Sequence, residues 1–276
     1  MSYQCPLCHL ALTPRVGGLE CENNHQFDRA KEGYVNLMPV QHKRSKEPGD
    51  NVEMMQARRR FLATEHYHPL RQAVVDLCLH YTQHTPRQIL DIGCGEGYYT
   101  AFLANALMAQ SQCATCYGLD ISKVAIRYAA KRYSSPHMQF CVASSQRLPF
   151  ADHSLNAIVR IYAPCEALEL ARVLNKQGVV ITVTPAARHL YQLKELIYEN
   201  VHLHDETSEE LAGFALIAAT KLTYDMALTG EQADDLLQMT PFAWKASLEV
   251  RQALTAMAEL KCDADFMLRV YQKISH

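Results

Sequence analysis

The stretch Leu90-Asp91-Ile92-Gly93-Cys94-Gly95-Glu96-Gly97 decides the fold. The apolar run Gln88 to Leu90 reads as a strand, and Tyr98-Tyr99-Thr100-Ala101-Phe102-Leu103 reads as the helix that follows. Between them stand a carboxylate and three glycines at alternate positions. Glycine tolerates positive φ and has no Cβ, so such a turn brings bare backbone against a ligand. The spacing is not GxGxxG: the glycines fall at i, i+2 and i+4, with Asp91 two residues before the first. Gly118-Leu119-Asp120 comes at the distance expected of a second strand. A carboxylate at the C-terminal end of that strand can accept from both ribose hydroxyls, in a dinucleotide site or any other adenosyl site. The ligand then lies outside the carboxyl ends of the strands, where strand order reverses. The bland alternative, a tight glycine turn with no ligand, leaves Asp120 without a purpose.

The glycine spacing and Asp91 separate the candidate cofactors. Together they resemble motif I of the class I S-adenosylmethionine (SAM) methyltransferases. That resemblance implies that Asp91 helps hold the amino-acid end of SAM, while methionine and ribose lie on the backbone around Gly93 and Gly95.

With 276 residues, one catalytic domain plus a small appendage is the natural expectation. Apolar residues make up 49% and charged residues 20%, which allows a sizeable core and argues against disorder. No apolar run approaches a membrane span, and Met1-Ser2-Tyr3-Gln4 opens no signal peptide. A net charge of −2 does not advertise nucleic acid, so any basic surface must be local. Of the ten cysteines, Cys78, Cys141 and Cys262 lie singly in apolar contexts. They read as reduced, buried thiols of a cytoplasmic protein.

The N-terminus is different. Cys5-Pro6-Leu7-Cys8 is followed after twelve residues by Cys21 and, after three more, by His25. Two close pairs separated by a loop containing Gly17-Gly18 can fold as a knuckle and short hairpin around one Zn2+ ion. The set Cys5, Cys8, Cys21 and His25 is a closed, structural Cys3His site. His9 is a rival fourth ligand, badly placed beside Cys8; a redox CxxC or incidental thiols are the other readings. The first 36 residues hold too few apolar groups for a core of their own and need such a staple. Metal binding is then worth roughly 10–16 kcal/mol to folding. Cys113-Ala114-Thr115-Cys116 has no partner pair nearby and reads as loop and strand thiols.

Residues 37–70 read as a basic linker and helix, and residues 71–276 as the SAM domain. Lys43, Arg44 and Lys46 precede Glu47-Pro48-Gly49-Asp50, after which Asp50 or Asn51 can cap a helix bearing Met54, Ala57 and Phe61 on one face. Arg58, Arg59 and Arg60 span about 200° of that helix, so part of the triplet faces outward. With Lys43 and Arg44 it forms either a phosphate-tracking stripe or a solvated face balanced by nearby acids.

Beyond Pro69 the order is that of a doubly wound α/β domain. A helix at 69–81 precedes strands near 88–91, 116–120, 138–142, 156–162 and 178–184. Helices near 98–109, 122–132 and 166–173 separate them. A helix over 189–201 carries Leu190, Leu193, Ile197 and Val201 as one stripe. Residues 221–228 and 266–271 make a final antiparallel pair, for seven strands in all. Three loops line the pocket. Ala143 to Phe150 offers Ser144 and Ser145 where SAM enzymes often carry an acid for adenine. Tyr162-Ala163-Pro164-Cys165 ends the fourth strand, where a methyl acceptor sits, and His189 follows the fifth, where a surface residue is the commoner reading.

The cysteine spacing, Lys31-Glu32-Gly33-Tyr34-Val35-Asn36-Leu37, Gln41-His42-Lys43-Arg44 and Met54-Met55-Gln56-Ala57-Arg58-Arg59 resemble the RlmA family. So do motif I, Ile161 to Cys165 and Gln238-Met239-Thr240-Pro241-Phe242-Ala243-Trp244. These are bacterial 23S rRNA guanine-N1 methyltransferases that act on hairpin 35, and the match covers nearly the whole chain. The resemblance implies a zinc ribbon that helps bind rRNA, a SAM domain and a homodimer framing an RNA cleft, with no membrane partner. By position it makes Tyr67, Gly95, Glu96 and His189 SAM contacts and Cys5, Cys8, Cys21 and His25 the zinc ligands. It is nearer to the Gram-negative type, with the Gram-positive type, which modifies a neighbouring guanosine, as the alternative.

Guanine N1 carries a proton and is buried in a base pair. The base must come from a loop or be flipped out, with Tyr162 as a stacking platform. Something must accept the proton or stabilise charge at O6. Glu166 is the nearest acid to that turn, and it equally suits the first turn of a helix. Two rival readings are a pyrimidine C5 methyltransferase with Cys165 as nucleophile and an inactive zinc-ribbon RNA adaptor. Retention of both Asp91 and Asp120 argues against the adaptor.

Overall fold

Ile89 and Leu90 point to opposite sides of one strand and enter two different cores. The same alternation holds at Ile158 and Val159 and at Val180 and Ile181. These strands are therefore buried on both faces, as a parallel sheet requires. The computed structural model describes residues 3–39, 52–83, 87–110 and 113–274. Its N-terminal ribbon holds β1 (Thr13–Arg15), β2 (Gly18–Glu20) and β3 (Gln26–Asp28), followed by β4 (Val35–Asn36). Two helices come next, α1 (Val52–Ala63) and α2 (His68–Tyr81). The alternating part runs β5 (Arg87–Ile92), α3 (Tyr98–Gln110), β6 (Ala114–Asp120), α4 (Lys123–Tyr133) and β7 (Met138–Val142). It continues with β8 (Leu155–Ile161), α5 (Ala167–Val173), β9 (Leu174–Pro185) and α6 (Tyr191–Glu195). The chain ends with β10 (Phe214–Leu228), α7 (Gly230–Gln238), α8 (Leu248–Thr255) and β11 (Leu260–Lys273).

The main sheet is ordered β10-β11-β9-β8-β5-β6-β7-β4. β10 and β11 pair antiparallel, as do β11 and β9, and the remaining pairs are parallel. Order reverses at β5, which lies between β6 and β8, so the ligand crevice opens beyond the C-terminal end of β5. The sheet has eight strands rather than the seven expected. The extra one is β4, which lays Val35 and Asn36 beside Cys141 and Val142 of β7. The resemblance-level motif Tyr34-Val35-Asn36-Leu37 is thus the joint between ribbon and sheet.

A second departure concerns the cover of that sheet. Helices α2, α3 and α4 share one core with α7 and α8. On the other face, residues 143–154 connect β7 to β8 without a helix. The ribbon fills that gap. Tyr3, Leu12, Leu19, Val35 and Leu37 join Leu90, Ile92, Tyr117, Leu119 and Phe150 in one buried cluster. Tyr3 stacks edge-on to Tyr117 and tilted on Phe150, and Gln4 N–H donates to the Pro149 carbonyl at 3.0 Å.

The helix expected over 189–201 is regular only over Tyr191–Glu195. Its entry is turned by Leu190, at φ 57, and the chain then folds back so that His204 N–H donates to the Ala187 carbonyl. Of the basic stripe, only the α1 part falls within the described residues. Lys43 and Arg44, with Lys46 and the capping candidates Asp50 and Asn51, lie outside the described residues. Arg60 grips Asp235 of α7 with both Nε and Nη2, at 3.0 and 2.6 Å. Arg59 pairs with Glu96 at 3.1 Å and lies over the Tyr128 ring. Arg58 lines the crevice. These arginines fix α1 across the mouth of the crevice instead of lining an open track.

Because the Asp235 side chain is only 12% exposed, truncating its partner leaves a buried carboxylate. Arg60→Ala is expected to cost about 1–3 kcal/mol in urea denaturation. The double variant Arg60→Ala/Asp235→Asn should recover part of that loss.

Candidate functional site

The four expected metal ligands converge on one point. The ligand atoms of Cys5, Cys8, Cys21 and His25 all lie within 4.8 Å of one another. Cys8 Sγ stands 3.6 Å from Cys21 Sγ, and His25 Nδ1 stands 3.5 and 3.4 Å from the thiols of Cys5 and Cys21. A zinc tetrahedron with Zn–S of ~2.3 Å and Zn–N of ~2.0 Å has edges of about 3.5–3.8 Å, so the set fits Zn2+ bound through Nδ1. His9 is exposed, at φ 61, and closes the knuckle through its N–H to the Cys5 carbonyl. Cys113 is exposed and Cys116 is buried in β6, so the second CxxC builds no such cluster. Cys5 and Cys21 belong to the same buried cluster as the sheet. Stripping zinc with a chelator is therefore expected to lower the melting temperature of the whole chain, with loss of a single cooperative transition. Survival of a full-height catalytic-domain transition would refute that coupling.

The glycine turn opens onto a cavity of about 1230 Å³. Gly93 and Gly95 have φ 70 and 54. A Cβ on Gly93 would stand 2.8 Å from Ala163 Cβ, so the loop after β8 leans directly on the turn. A Cβ on Gly95 would meet open space. Asp120 holds the turn in shape: its Oδ2 accepts from Gly95 N–H at 3.0 Å and its Oδ1 from Ser122 N–H at 2.8 Å. Asp120 also lines the cavity, where a carboxylate can accept from a ligand hydroxyl. Asp91 is buried, and Thr100 Oγ1 donates to it at 2.6 Å. Burial pushes its carboxyl up to about 7; the Thr100 bond opposes that rise and the charge of Asp120 adds to it.

Three features test whether SAM fits. Glu96 Oε1 is buried in the cavity wall with no hydrogen-bond partner among the described residues, while its other oxygen takes Arg59. Burial raises its carboxyl, with the nearby arginines opposing. A bound ligand amine or hydroxyl would complete it. Tyr67 is buried edge-on between Phe61 and Phe266 and faces the same cavity. The space exceeds the usual range of a small-molecule site, leaving room for a second occupant beside the cofactor. On the adenine side the wall is Val142, Ala143 and the serines, with Ser144 Oγ already accepting from Gln146 N–H.

The opposite wall carries Tyr162 and His189, both expected, and two residues that the sequence did not single out, Lys194 and His204. Tyr162 stands half-exposed at φ 56, a costly backbone for a bulky side chain, held by its N–H to the Val183 carbonyl. Its hydroxyl lies 3.4 Å from His189 Nε2. His189 is buried, and its Nδ1 accepts from Asp265 N–H, so the ring proton sits on Nε2. Burial, with Lys194 and His204 adding to it, pushes the imidazole down to about 3, so it is a neutral donor. Beside it Lys194 is buried on α6, and its Nζ bonds His204 Nε2. Neither residue was foreseen. The available signal was a lysine four residues after Leu190, on the stripe of a helix otherwise read as apolar.

Two expected residues lie outside this cavity. Glu166 is the exposed N-cap residue of α5 and is absent from the cavity wall, which removes it as the acceptor of a substrate proton. Cys165 donates its thiol to the Ser145 carbonyl at 2.9 Å, and burial pushes it up to about 12. A thiol held that way is a poor nucleophile.

Sheet, glycine turn and Asp120 together define a class I SAM-dependent methyltransferase, and residues 89–178 match the methyltransferase domain model. Residues 3–46 match the model for the RlmA N-terminal zinc ribbon. The chain is 30% identical to YxjB of Bacillus subtilis, provisionally named a 23S rRNA (guanine-N1)-methyltransferase, over 96% of each chain. It is 29% identical to the 23S rRNA (guanine(748)-N(1))-methyltransferase of Streptomyces fradiae, over 87% of this chain and 85% of that one. The solved YcgJ protein of Bacillus subtilis is 18% identical, with TM-score 0.47, over 74% of this chain and 100% of that one. The chain belongs to the RlmA family of 23S rRNA (guanine-N1)-methyltransferases, uses SAM and carries a zinc ribbon. These relatives do not distinguish the Gram-negative type from the Gram-positive type.

The state of Asp91 links cofactor binding to pH. Its raised value means the free folded protein keeps a proton that the unfolded chain has released above pH 3.8. Its contribution to stability is therefore full below about pH 4 and is lost as pH rises through about 7. A cationic ligand at the turn favours the ionised form. SAM affinity by calorimetry is expected to strengthen from about pH 5.5 to about pH 7.5, and Asp91→Asn to bind more weakly and without that slope.

Proposed function

We propose that this chain transfers a methyl group to N1 of a guanosine in hairpin 35 of 23S rRNA. The Gram-negative-type position is the expected one, and the neighbouring guanosine, position 748 in the Streptomyces fradiae enzyme's name, is the alternative. One observation carries this reading: a single cavity joins the motif I turn to the strained Tyr162 and leaves room for a base beside the cofactor. We further propose that Tyr67, Asp91, Gly93, Gly95, Glu96, Asp120 and His189 hold SAM. In this reading the ribbon at 1–36 reads the rRNA, 37–70 links it to the SAM domain at 71–276, and the protein works in the cytoplasm as a homodimer. No helix among the described residues is long and apolar enough to cross a membrane.

Bound SAM supplies a methyl on a positively charged sulfonium, already activated for in-line transfer. The protein contributes position. Asp120 fixes the glycine turn and faces the ribose hydroxyls. Asp91 and Glu96 oppose the charge of the amino-acid end. Tyr162 stacks the extruded guanine, its ring locked in place by the Val183 bond and the His189 contact. His189, fixed as a neutral donor, offers Nε2–H without placing a second cation near the sulfonium. Helix α1 and the segment Met239–Phe242 wall off water, and Trp244 stands exposed just outside, where a flanking base can reach it.

Nucleoside mass spectrometry of 23S rRNA from a deletion strain should lack one 1-methylguanosine, and primer extension should gain read-through in hairpin 35. The position of the lost stop decides between the two guanosines. An unchanged 1-methylguanosine content would refute the reading. Among variants, Tyr162→Ala is expected to lose at least tenfold in kcat/KM for rRNA, while Tyr162→Phe retains most of it. Cys165→Ser should stay within a fewfold of wild type. Abolished turnover in Cys165→Ser would favour pyrimidine C5 chemistry.

A further inference from the structure

We infer that Lys194, held by His204, is the group that takes the N1 proton from the target guanine. The inference rests on the guanine-N1 reading above and goes beyond it by naming the proton acceptor. Glu166 does not line the cavity, and the carboxylates that do, Asp91, Glu96 and Asp120, belong to the glycine-turn side, so the wall that carries Tyr162 supplies the candidate. Lys194 and His204 both line that wall, in the same cavity as Tyr162 and His189. The His189 ring lies 6.4 Å from the His204 ring and 6.2 Å from the Tyr162 ring, so the pair stands within one base's reach of the Tyr162 platform.

Lysine is an effective base only if its amine is free of its proton near neutrality. Every element around Lys194 works in that direction or is weak. It is 6% exposed on α6, and burial lowers its ammonium. Cys262 of β11 opposes this weakly, through a thiol itself pushed up to about 12. From the α6 entry His189 is neutral, and from the returning segment His204 is also held low by burial and by Lys194. Phe242 contributes only a ring face, 5.9 Å from Nζ. Asp265 of β11 acts on the two histidines, and its carboxylate is occupied by Thr223, by Arg188 N–H and by Lys221. His204 Nε2 can accept one N–H of the Lys194 amine, which leaves its lone pair available to a proton in the cavity that both residues line.

The balance of the step is simple. The N1–H bond breaks, and its proton goes to the Lys194 lone pair. The N1 electron pair forms the N1–CH3 bond as the S–CH3 bond breaks, and that pair returns to sulfur. The new ammonium donates to His204 Nε2, a charge-assisted bond stronger than the neutral one it replaces.

Lys194→Met and Lys194→Arg, assayed on hairpin 35 RNA in single turnover, test this. Methionine fills the same apolar slot, and arginine keeps a charge but cannot be a base at any working pH. Both should lose at least ~100-fold in kcat, with KM for RNA, SAM affinity by calorimetry and melting temperature near wild type. The rate of each variant should climb with pH into the alkaline range, where guanine N1 ionises unaided, and wild type should reach its plateau at a lower pH than either variant. An RNA carrying 8-azaguanine at the target, whose N1–H is more acidic, should restore part of the variants' rate. Near-wild-type activity in Lys194→Met overturns the assignment. So does recovery in Lys194→Arg, or a uniform loss that neither pH nor 8-azaguanine relieves. If wild type forms no 1-methylguanosine on this RNA, the function reading itself has failed and the assignment falls with it.

Discussion

A parallel sheet must be covered on both faces, and this chain lacks a helix between β7 and β8 to do it. The rest of the structure follows from how that bare face is closed. Tyr3, Leu12, Leu19 and Leu37 are the apolar groups that close it, and they sit on a segment too small to fold without a metal. The zinc site therefore supports the SAM domain as well as itself. The loop from Ala143 to Phe150 also has two faces. Ala143 to Gln146 line the cofactor cavity, while Arg147, Pro149 and Phe150 grip the ribbon. One short loop thus contacts both the ribbon and the cofactor cavity.

The crevice is closed from its other side by charge. Arg60 to Asp235 and Arg59 to Glu96 bind α1 to α7 and to the glycine turn. A row of arginines beside an RNA-modifying site invites a phosphate-binding reading, but these guanidiniums already have carboxylate partners. Half-buried pairs of this kind specify position more than they add stability, the bidentate Arg60–Asp235 pair above all. Their role is to hold Met55 and Leu62 against the cavity, where water exclusion strengthens every polar contact inside.

The cavity has an acidic wall and a nitrogenous wall. Asp91, Glu96 and Asp120 gather at the glycine turn, while His189, Lys194 and His204 gather beside Tyr162. Burial acts on both walls in the same physical way, by disfavouring charge. It raises Asp91 and Glu96 and lowers Lys194 and the two histidines. Burial thus opposes charge on both walls, and ligands of complementary charge would relieve that opposition. Tyr162, at the mouth, bears backbone strain that a less constrained loop would release.

Much of this was written locally in the chain. The alternate glycines of motif I, Asp120 at a strand end and the Cys5, Cys8, Cys21, His25 spacing each act through short-range geometry, so the residues alone identify turn, cradle and metal site. Strands β5 to β9 and helices α2 to α5 fell close to their expected limits for the same reason: their apolar periodicity is local. What remained illegible depended on contacts far apart in the chain. That Val35 and Asn36 add a strand to β7, that Arg60 meets Asp235 and that Lys194 meets His204 inside a cavity are decided by packing. Nothing in the local pattern says whether a cation faces water, a carboxylate or a substrate. Tertiary structure decides that, because the dielectric around a charged group and the partner within reach exist only once the chain has folded.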